Sequence, residues 1–211
     1  MSLSISPILI QKNPKPNCTN SVYFETSSLK LLCAINGPYY SSSSQKNADE
    51  SKMDISISLK IPNYITHKQK ESAVNYNESQ INEILNKHFL IEKYPRTKLD
   101  VIIEIFEFNC DYLPYAIMAT SLCACYANIE QKGILSCCNL IIDRDNNIIV
   151  DPSLQQEQQY KTKFIFGCNL PLEENFIFTQ IGYCEHETLK QSIAIAIKIC
   201  ELYHKYLISK L

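Results

Sequence analysis

Leu99-Asp100-Val101-Ile102-Ile103-Glu104-Ile105-Phe106-Glu107-Phe108, followed after a short break by Pro114-Tyr115-Ala116-Ile117-Met118-Ala119-Thr120-Ser121-Leu122, is the stretch on which the fold turns. The first run is nearly continuously apolar and of strand length, so it reads as a central strand. Pro114 suits the first turn of a helix, where a missing N–H costs nothing, and that helix is expected to reach about Asn128. Ala116, Ala119, Ser121 and Ala124 give it a small-residue face that permits close packing on a sheet.

Toward the N-terminus, Ser21–Glu25 and Lys30–Asn36 are β-type runs around a Thr-Ser-Ser turn, a hairpin whose second strand Gly37-Pro38 should end. Ser41–Lys52 is serine-rich and charged and reads as a flexible surface insertion. Met53–Ile61 alternates, with Ile55, Ile57, Leu59 and Ile61 on one face of a half-buried strand. Glu78 to about Ile91 carries Ile81, Ile84, Leu85, Phe89 and Leu90 at helical spacing, and Tyr94-Pro95-Arg96 closes it.

Toward the C-terminus, Ile134–Ile142 and Asn147–Val150 flank an Asp/Asn-rich loop and read as a second hairpin. Lys163–Cys168 and Phe176–Gly182 are further strands. Thr188 and Gln191 form a candidate capping box for a last helix with Leu189, Ile193, Ile197, Cys200 and Leu207 as its buried stripe. The order of elements predicts an α+β fold: one domain over residues 1–211, a mixed sheet with helices packed on one face.

Composition narrows the function. The net charge is −2 with 20% charged residues, so no basic excess points to nucleic acid, and any RNA contact is local or shared with partners. No apolar run is long enough to span a bilayer and no basic leader precedes an apolar core, which predicts a soluble intracellular protein. On that expectation the glycosylation patterns Asn17-Cys18-Thr19 and Asn77-Glu78-Ser79 stay unmodified. The ten cysteines form no CxxC pair and sit mostly in apolar runs, as reduced buried thiols do. Cys123 and Cys125, on a helix, and Cys137 and Cys138, on a strand, point to different faces and cannot chelate one ion. Cys184-Glu185-His186 lacks the second pair a zinc site needs, and His67, His88, His186 and His204 are scattered without a nucleophile motif. The tyrosines read as core or interface residues rather than RNA-stacking platforms. No metal or cofactor is expected.

The wording of several segments, in order, resembles the RNase PH family. They are Ser21-Val22-Tyr23-Phe24-Glu25 with Lys30–Pro38, Tyr94-Pro95-Arg96-Thr97-Lys98-Leu99-Asp100-Val101, Ala116-Ile117-Met118-Ala119-Thr120-Ser121-Leu122 and Ile149-Val150-Asp151-Pro152. Within that family the chain is similar to the RNase PH-like subunits of the eukaryotic RNA exosome, nearest to inactive ring subunits of the mRNA-transport-defective or ribosomal-RNA-processing type. The resemblance implies a β-α-β domain of ribosomal-protein-like topology in a six-membered ring with RNA-binding cap subunits, acting on RNA in nucleus, nucleolus and cytoplasm. Active members use phosphate to release nucleoside diphosphates from RNA. They need a basic cradle for the phosphate and acidic ligands for a divalent cation.

Carried over residue by residue, the resemblance puts Cys110-Asp111-Tyr112-Leu113 where active members have a Gly-Gly-Thr-Arg run, so Leu113 replaces the phosphate-binding arginine and Asp111 repels the anion. Asp151 opens the acidic segment, Glu157 falls on the first metal ligand and Lys163 on the second, where a lysine opposes a cation. The catalytic positions Tyr112, Leu113, Asp151, Glu157 and Lys163 are thus degenerate, with the amides of the helix N-terminus left as a weak anion site and Asp151 expected to bond local backbone amides. Lys93, Arg96 and Lys98 are the candidate RNA contacts, with Lys68, Lys70 and Asn82 upstream. Two functions follow: a non-catalytic ring subunit, or a phosphorolytic RNase that uses Glu157 and a neighbour's arginine.

Overall fold

A helix apolar on every side dictates the layering. The computed structural model describes residues 7–40, 51–62, 67–170 and 174–211, without the side chains of 67–73 and 174–176. Its strands are β1 (Leu9–Lys12), β2 (Asn20–Glu25), β3 (Leu29–Tyr40), β4 (Asp54–Lys60), β5 (Thr97–Phe108), β6 (Ile134–Ile142), β7 (Ile148–Val150), β8 (Thr162–Leu170) and β9 (Glu174–Gly182). The helices are α1 (His67–His88), α2 (Leu113–Tyr126) and α3 (His186–Ile208). In α2 every residue from Leu113 to Ala124 is buried. A helix without a polar face must be covered on all sides.

Two sheets cover it. The first has the order β1-β2-β3-β5-β4, antiparallel except for the parallel β4–β5 pair, and the second is the antiparallel order β7-β6-β8-β9. Alternation sorts their faces. On β5, Leu99, Val101, Ile103 and Ile105 are buried, while Asp100 and Glu104 share the opposite, more open face with the exposed Phe106. The central strand is therefore half-buried rather than buried on both sides. On β6 both faces are buried, and they meet different helices. Asn139 shares a face with Lys163 of β8 and points toward the start of α2, whereas the Cys138 thiol lies against the Ala196 carbonyl and the Cys200 thiol of α3. The layers run sheet, helix, sheet, helix. The expected arrangement of helices on one face is corrected: α2 lies between the sheets and α3 backs the second.

Several boundaries also move. β3 does not stop at Gly37-Pro38; a register shift between Asn36 and Tyr39 absorbs the irregularity and pairing resumes at Tyr39–Lys98 and Tyr40–Thr97. α1 ends at His88, before the Tyr94-Pro95-Arg96 expected to close it, with the short turn Ile91–Lys93 between. The capping box at Thr188 and Gln191 is not formed, because α3 starts three residues earlier, after Glu185 in an extended conformation. Its buried stripe is rotated onto Ser192, Ala196, Ile199, Cys200, Tyr203 and Leu207, leaving Ile197 exposed. Most of the predicted insertion Ser41–Lys52 falls outside the described residues.

Gly182 closes β9 at φ +98, and a Cβ built there would sit 2.3 Å from the Lys161 carbonyl oxygen. Both the backbone conformation and the close approach exclude a side chain. Gly182→Ala should cost about 1–3 kcal/mol, seen as a lower urea midpoint at unchanged slope.

Candidate functional site

The loop before α2 and the segment after β7 are joined by backbone. Cys110 and Ser153 form an isolated antiparallel bridge, and the Leu154 N–H donates to the Asn109 carbonyl at 2.9 Å. Ser153 then starts a tight turn: its N–H donates to Gln156 Oε1 at 2.9 Å, and the Glu157 N–H donates to its carbonyl at 2.9 Å. This places Glu157 over the face of the second sheet that carries Asn139 and Lys163.

Three charges converge there. The Lys163 ammonium donates to Asp111 Oδ2 at 2.7 Å and to Glu157 Oε2 at 3.0 Å, and the three side chains are 12%, 15% and 13% exposed. Glu157 Oε1 accepts from Asn139 Nδ2 at 2.6 Å, so both of its oxygens are used. Burial pulls the Lys163 ammonium down, but the Asp111 charge and the hydrogen bonds of Asp111 and Glu157 outweigh it and hold its pKa above the usual lysine value. The lysine expected only to oppose a cation fills the place between two acids that a cation would take.

The helix start is closed in the same way. Asp111 Oδ1 accepts from the Leu113 N–H at 2.9 Å, and Pro114 has no N–H to offer. The amides expected to remain as a weak anion site are thus partly consumed by Asp111 and partly absent. Leu113, the position expected to stand in for an arginine, is buried and apolar. The Tyr112 hydroxyl accepts from Asn77 Nδ2 at 2.5 Å, and its ring meets Phe108 edge-on, so this residue clamps α1 to α2.

Asp151 goes elsewhere. It sits at φ +48, its N–H donates to the Asn139 carbonyl at 2.9 Å, and its Oδ2 accepts from the Tyr203 hydroxyl of α3 at 2.5 Å. The expectation that its carboxylate bonds local backbone amides is corrected: a helix 52 residues away supplies the partner. Burial pushes the Asp151 carboxyl above the usual carboxylate range, against the opposing pull of the Tyr203 and Tyr115 hydroxyls. Neighbouring Cys110 is pushed up to about 12 by burial and by the charges of Asp151, Asp111 and Glu157, so it is no thiolate nucleophile.

Lys93, Arg96 and Lys98 are not part of this cluster. They flank the start of β5 while Asp111 follows its end, a separation on the order of 35 Å for a twelve-residue strand. Lys93 pairs with Glu130, and Lys98 lies 3.6 Å from Asp100. Arg96 is exposed at φ +58. The side chains of Lys68 and Lys70 lie outside the described residues, and Asn82 bonds Asn86. His88 is buried with Nε2 2.7 Å from the Gly133 carbonyl oxygen, and no group of three or more His, Cys, Asp or Glu among the described residues could hold a metal ion. Asn139, Asn77, Tyr203 and Tyr115, all part of the network, carry no local sequence signal. Only the fold brings them to it.

Lys163→Met should leave Asp111 and Glu157 facing each other in a poorly hydrated place, at a cost of about 3–5 kcal/mol in urea unfolding at neutral pH. Because the Lys163 pKa is raised, its contribution is fully present below the ordinary lysine value and is lost only as pH climbs through its raised value. Lys163 should therefore add no slope between pH 6 and 9. Asp151 has the same sign, at the acid end of the scale. With a raised carboxyl pKa, stability is lost as pH rises from the ordinary carboxylate value through the raised one, so Asp151→Asn should flatten that part of a melting-temperature profile.

The description "3' exoribonuclease family, domain 1" (RNase PH) matches residues 4–130 of the chain. An exosome complex component RRP41 protein of Caenorhabditis elegans is 30% identical over 147 residues, 67% of this chain and 60% of the relative. The chain thus spans about 60% of the length of the nematode relatives it matches. The exosome complex component Rrp41 of Pyrococcus horikoshii is 21% identical over 199 residues, 92% of this chain and 79% of that protein. Among solved structures, rice (Oryza sativa) Rrp46 superposes with a TM-score of 0.87 at 19% identity, covering 98% of this chain and 95% of that one. That likeness extends the fold through the turn bearing Glu157 and the strand bearing Lys163, beyond the stretch the family description matches. With a match over more than half its length and the same fold throughout, the chain belongs to the RNase PH family of 3' exoribonucleases.

Proposed function

We propose that this chain is a non-catalytic ring subunit of an RNA exosome, serving assembly and the channel that guides RNA to 3'-to-5' processing and degradation. Its neighbours are other RNase PH-like subunits of a six-membered ring and RNA-binding cap subunits, in nucleus, nucleolus and cytoplasm. The names of its nematode and archaeal relatives, exosome complex components, support this reading. No helix among the described residues is long and apolar enough to cross a membrane.

One observation carries the non-catalytic part: the Lys163 ammonium lies between Asp111 and Glu157. Phosphorolysis needs a cation to offset the charge that builds on phosphate and RNA, and a cradle that holds the attacking anion. The residues here do not fit a divalent cation, since a fixed ammonium 3.0 Å or less from both acids would repel it. Nor do they fit phosphate, because Asp111 occupies the helix-start amide and Leu113 brings no charge. The charges of Asp111, Glu157 and Lys163 are paired with one another.

Two measurements test the proposal. Affinity purification of the tagged chain from its source cells, with identification of co-purifying proteins, should recover the other RNase PH-like subunits; recovery of none would undo the ring assignment. Incubating the purified ring with end-labelled RNA, inorganic phosphate and Mg²⁺ should release nucleoside diphosphate no faster with wild-type chain than with Glu157→Gln. A loss of release on that substitution would instead establish a composite active site using Glu157.

A further inference from the structure

The β4 edge of the first sheet is open over a short window, which main-chain direction locates. Along a strand, successive residues turn their N–H and C=O groups to opposite sides. Just before β4 the Met53 N–H donates to the Ile91 carbonyl at 3.0 Å, and near its end the Leu59 N–H donates to Glu78 Oε1 at 2.7 Å. Both bonds leave on the side away from β5. Ile55 and Ile57, at the same parity, therefore turn their N–H and C=O groups that way too. Among the described residues no strand pairs with that side, and no hydrogen bond reaches these four groups.

The four groups open into a groove of about 510 Å³ between β4 and α1. Its helix wall is polar, with Asn75, Glu78, Ser79 and Asn82 recurring along one face of α1. On the strand side Asp54 is exposed and has no ion-pair partner among the described residues, whereas Lys98 lies 3.6 Å from Asp100. Asp54 and Glu78 therefore set the sign of the groove.

We propose that this groove docks an extended, flexible segment of a separate protein, which pairs its main chain with Ile55 and Ile57 and sets a lysine or arginine beside Asp54. Three features select that occupant. Main-chain donors and acceptors repeating every second residue, about 7 Å apart, are matched by another extended main chain. The two acids repel the phosphates of RNA and attract a cationic side chain. The window is closed by the Ile91 carbonyl at one end and by Glu78 at the other. It admits a single unfolded segment, not the long edge of a folded sheet from a second copy or a ring neighbour. The docking site does not depend on the ring assignment.

The test titrates a capped, fluorescein-labelled decapeptide of alternating lysine and valine into the purified full chain, read by fluorescence anisotropy and by hydrogen exchange of the Ile55 and Ile57 amides. Saturable binding is expected, with protection of those two amides. The same peptide N-methylated throughout, which has no main-chain donors, and a glutamate–valine counterpart should each bind about tenfold weaker or worse. Asp54→Lys should weaken the lysine peptide by as much, whereas Asp145→Lys, in the exposed loop between β6 and β7, should leave it unchanged. Absence of binding, equally tight binding of the N-methylated peptide, equal losses at Asp54 and Asp145, or protection of Ile55 and Ile57 by a labelled oligoadenylate and not by the peptide would each overturn the proposal. If Asp54→Lys fails to fold, the comparison of the two lysine peptides on the wild-type chain decides alone.

Discussion

An ammonium held between two carboxylates, with little water to share, is the constraint around which the second half of this chain is arranged. Taking Lys163, Asp111 and Glu157 out of water is costly, and the cost is recovered only if the geometry is good and the remaining lone pairs are used. Both conditions are met: the ammonium reaches each acid within 3.0 Å, Asn139 takes the second oxygen of Glu157, and the Leu113 amide takes the second oxygen of Asp111. The cluster ties β6, β8, the turn after β7 and the start of α2 to one point. A purely apolar replacement of similar volume would hold the same elements as well or better. What the charges add is direction, since each hydrogen bond fixes the orientation of the segment that bears it.

The segment Asp151–Lys163 therefore splits its acids between two helices. Glu157 turns toward α2, while Asp151 turns toward Tyr203 of α3, and the rings of Tyr115 and Tyr203 meet edge-on between the helices. Asp151 reaches α3 because β7 is only three residues long and pairs only with Leu140–Ile142, so α2 and α3 approach each other past the uncovered end of β6. The thiols nearby follow the same logic. Seven of the ten cysteines are buried, and burial pushes the thiols of Cys110 and Cys137 up, so these two stay protonated as small apolar residues of the core rather than reactive groups.

Much of this was legible in the sequence, for identifiable reasons. Alternation placed Ile55 and Leu59 on a buried face, and Pro114 marked the start of α2 to within a residue. The identities at Leu113 and Lys163 already spoke against phosphate and a cation. Illegible were features set by distant contacts. Ile197 fits the helical stripe by spacing, yet α3 is rotated so that Tyr203 can reach Asp151, and Ile197 is left in solvent. Glu157 looked unpartnered because its partners, Lys163 across a turn and Asn139 on another strand, are neighbours only in space. Gly37-Pro38 looked like a stop because the pair disrupts regular pairing; a register shift lets β3 resume beyond it.

In the proposed non-catalytic subunit, the two ends of β5 carry separate features. In the proposed ring subunit, any contact with RNA is made near Lys93, Arg96 and Lys98, before and at the start of the strand, while the closed ion cluster lies past its end. Sites so far apart, with no shared partner, contribute additively. A change at the Lys163 end therefore leaves the charge at the Lys93 end unaltered. A catalytic site cannot be abandoned so cheaply when its ligands also build the binding surface. Here the rigid strand separates the two ends, and at the far one a lysine of the same fold lies between the two acids.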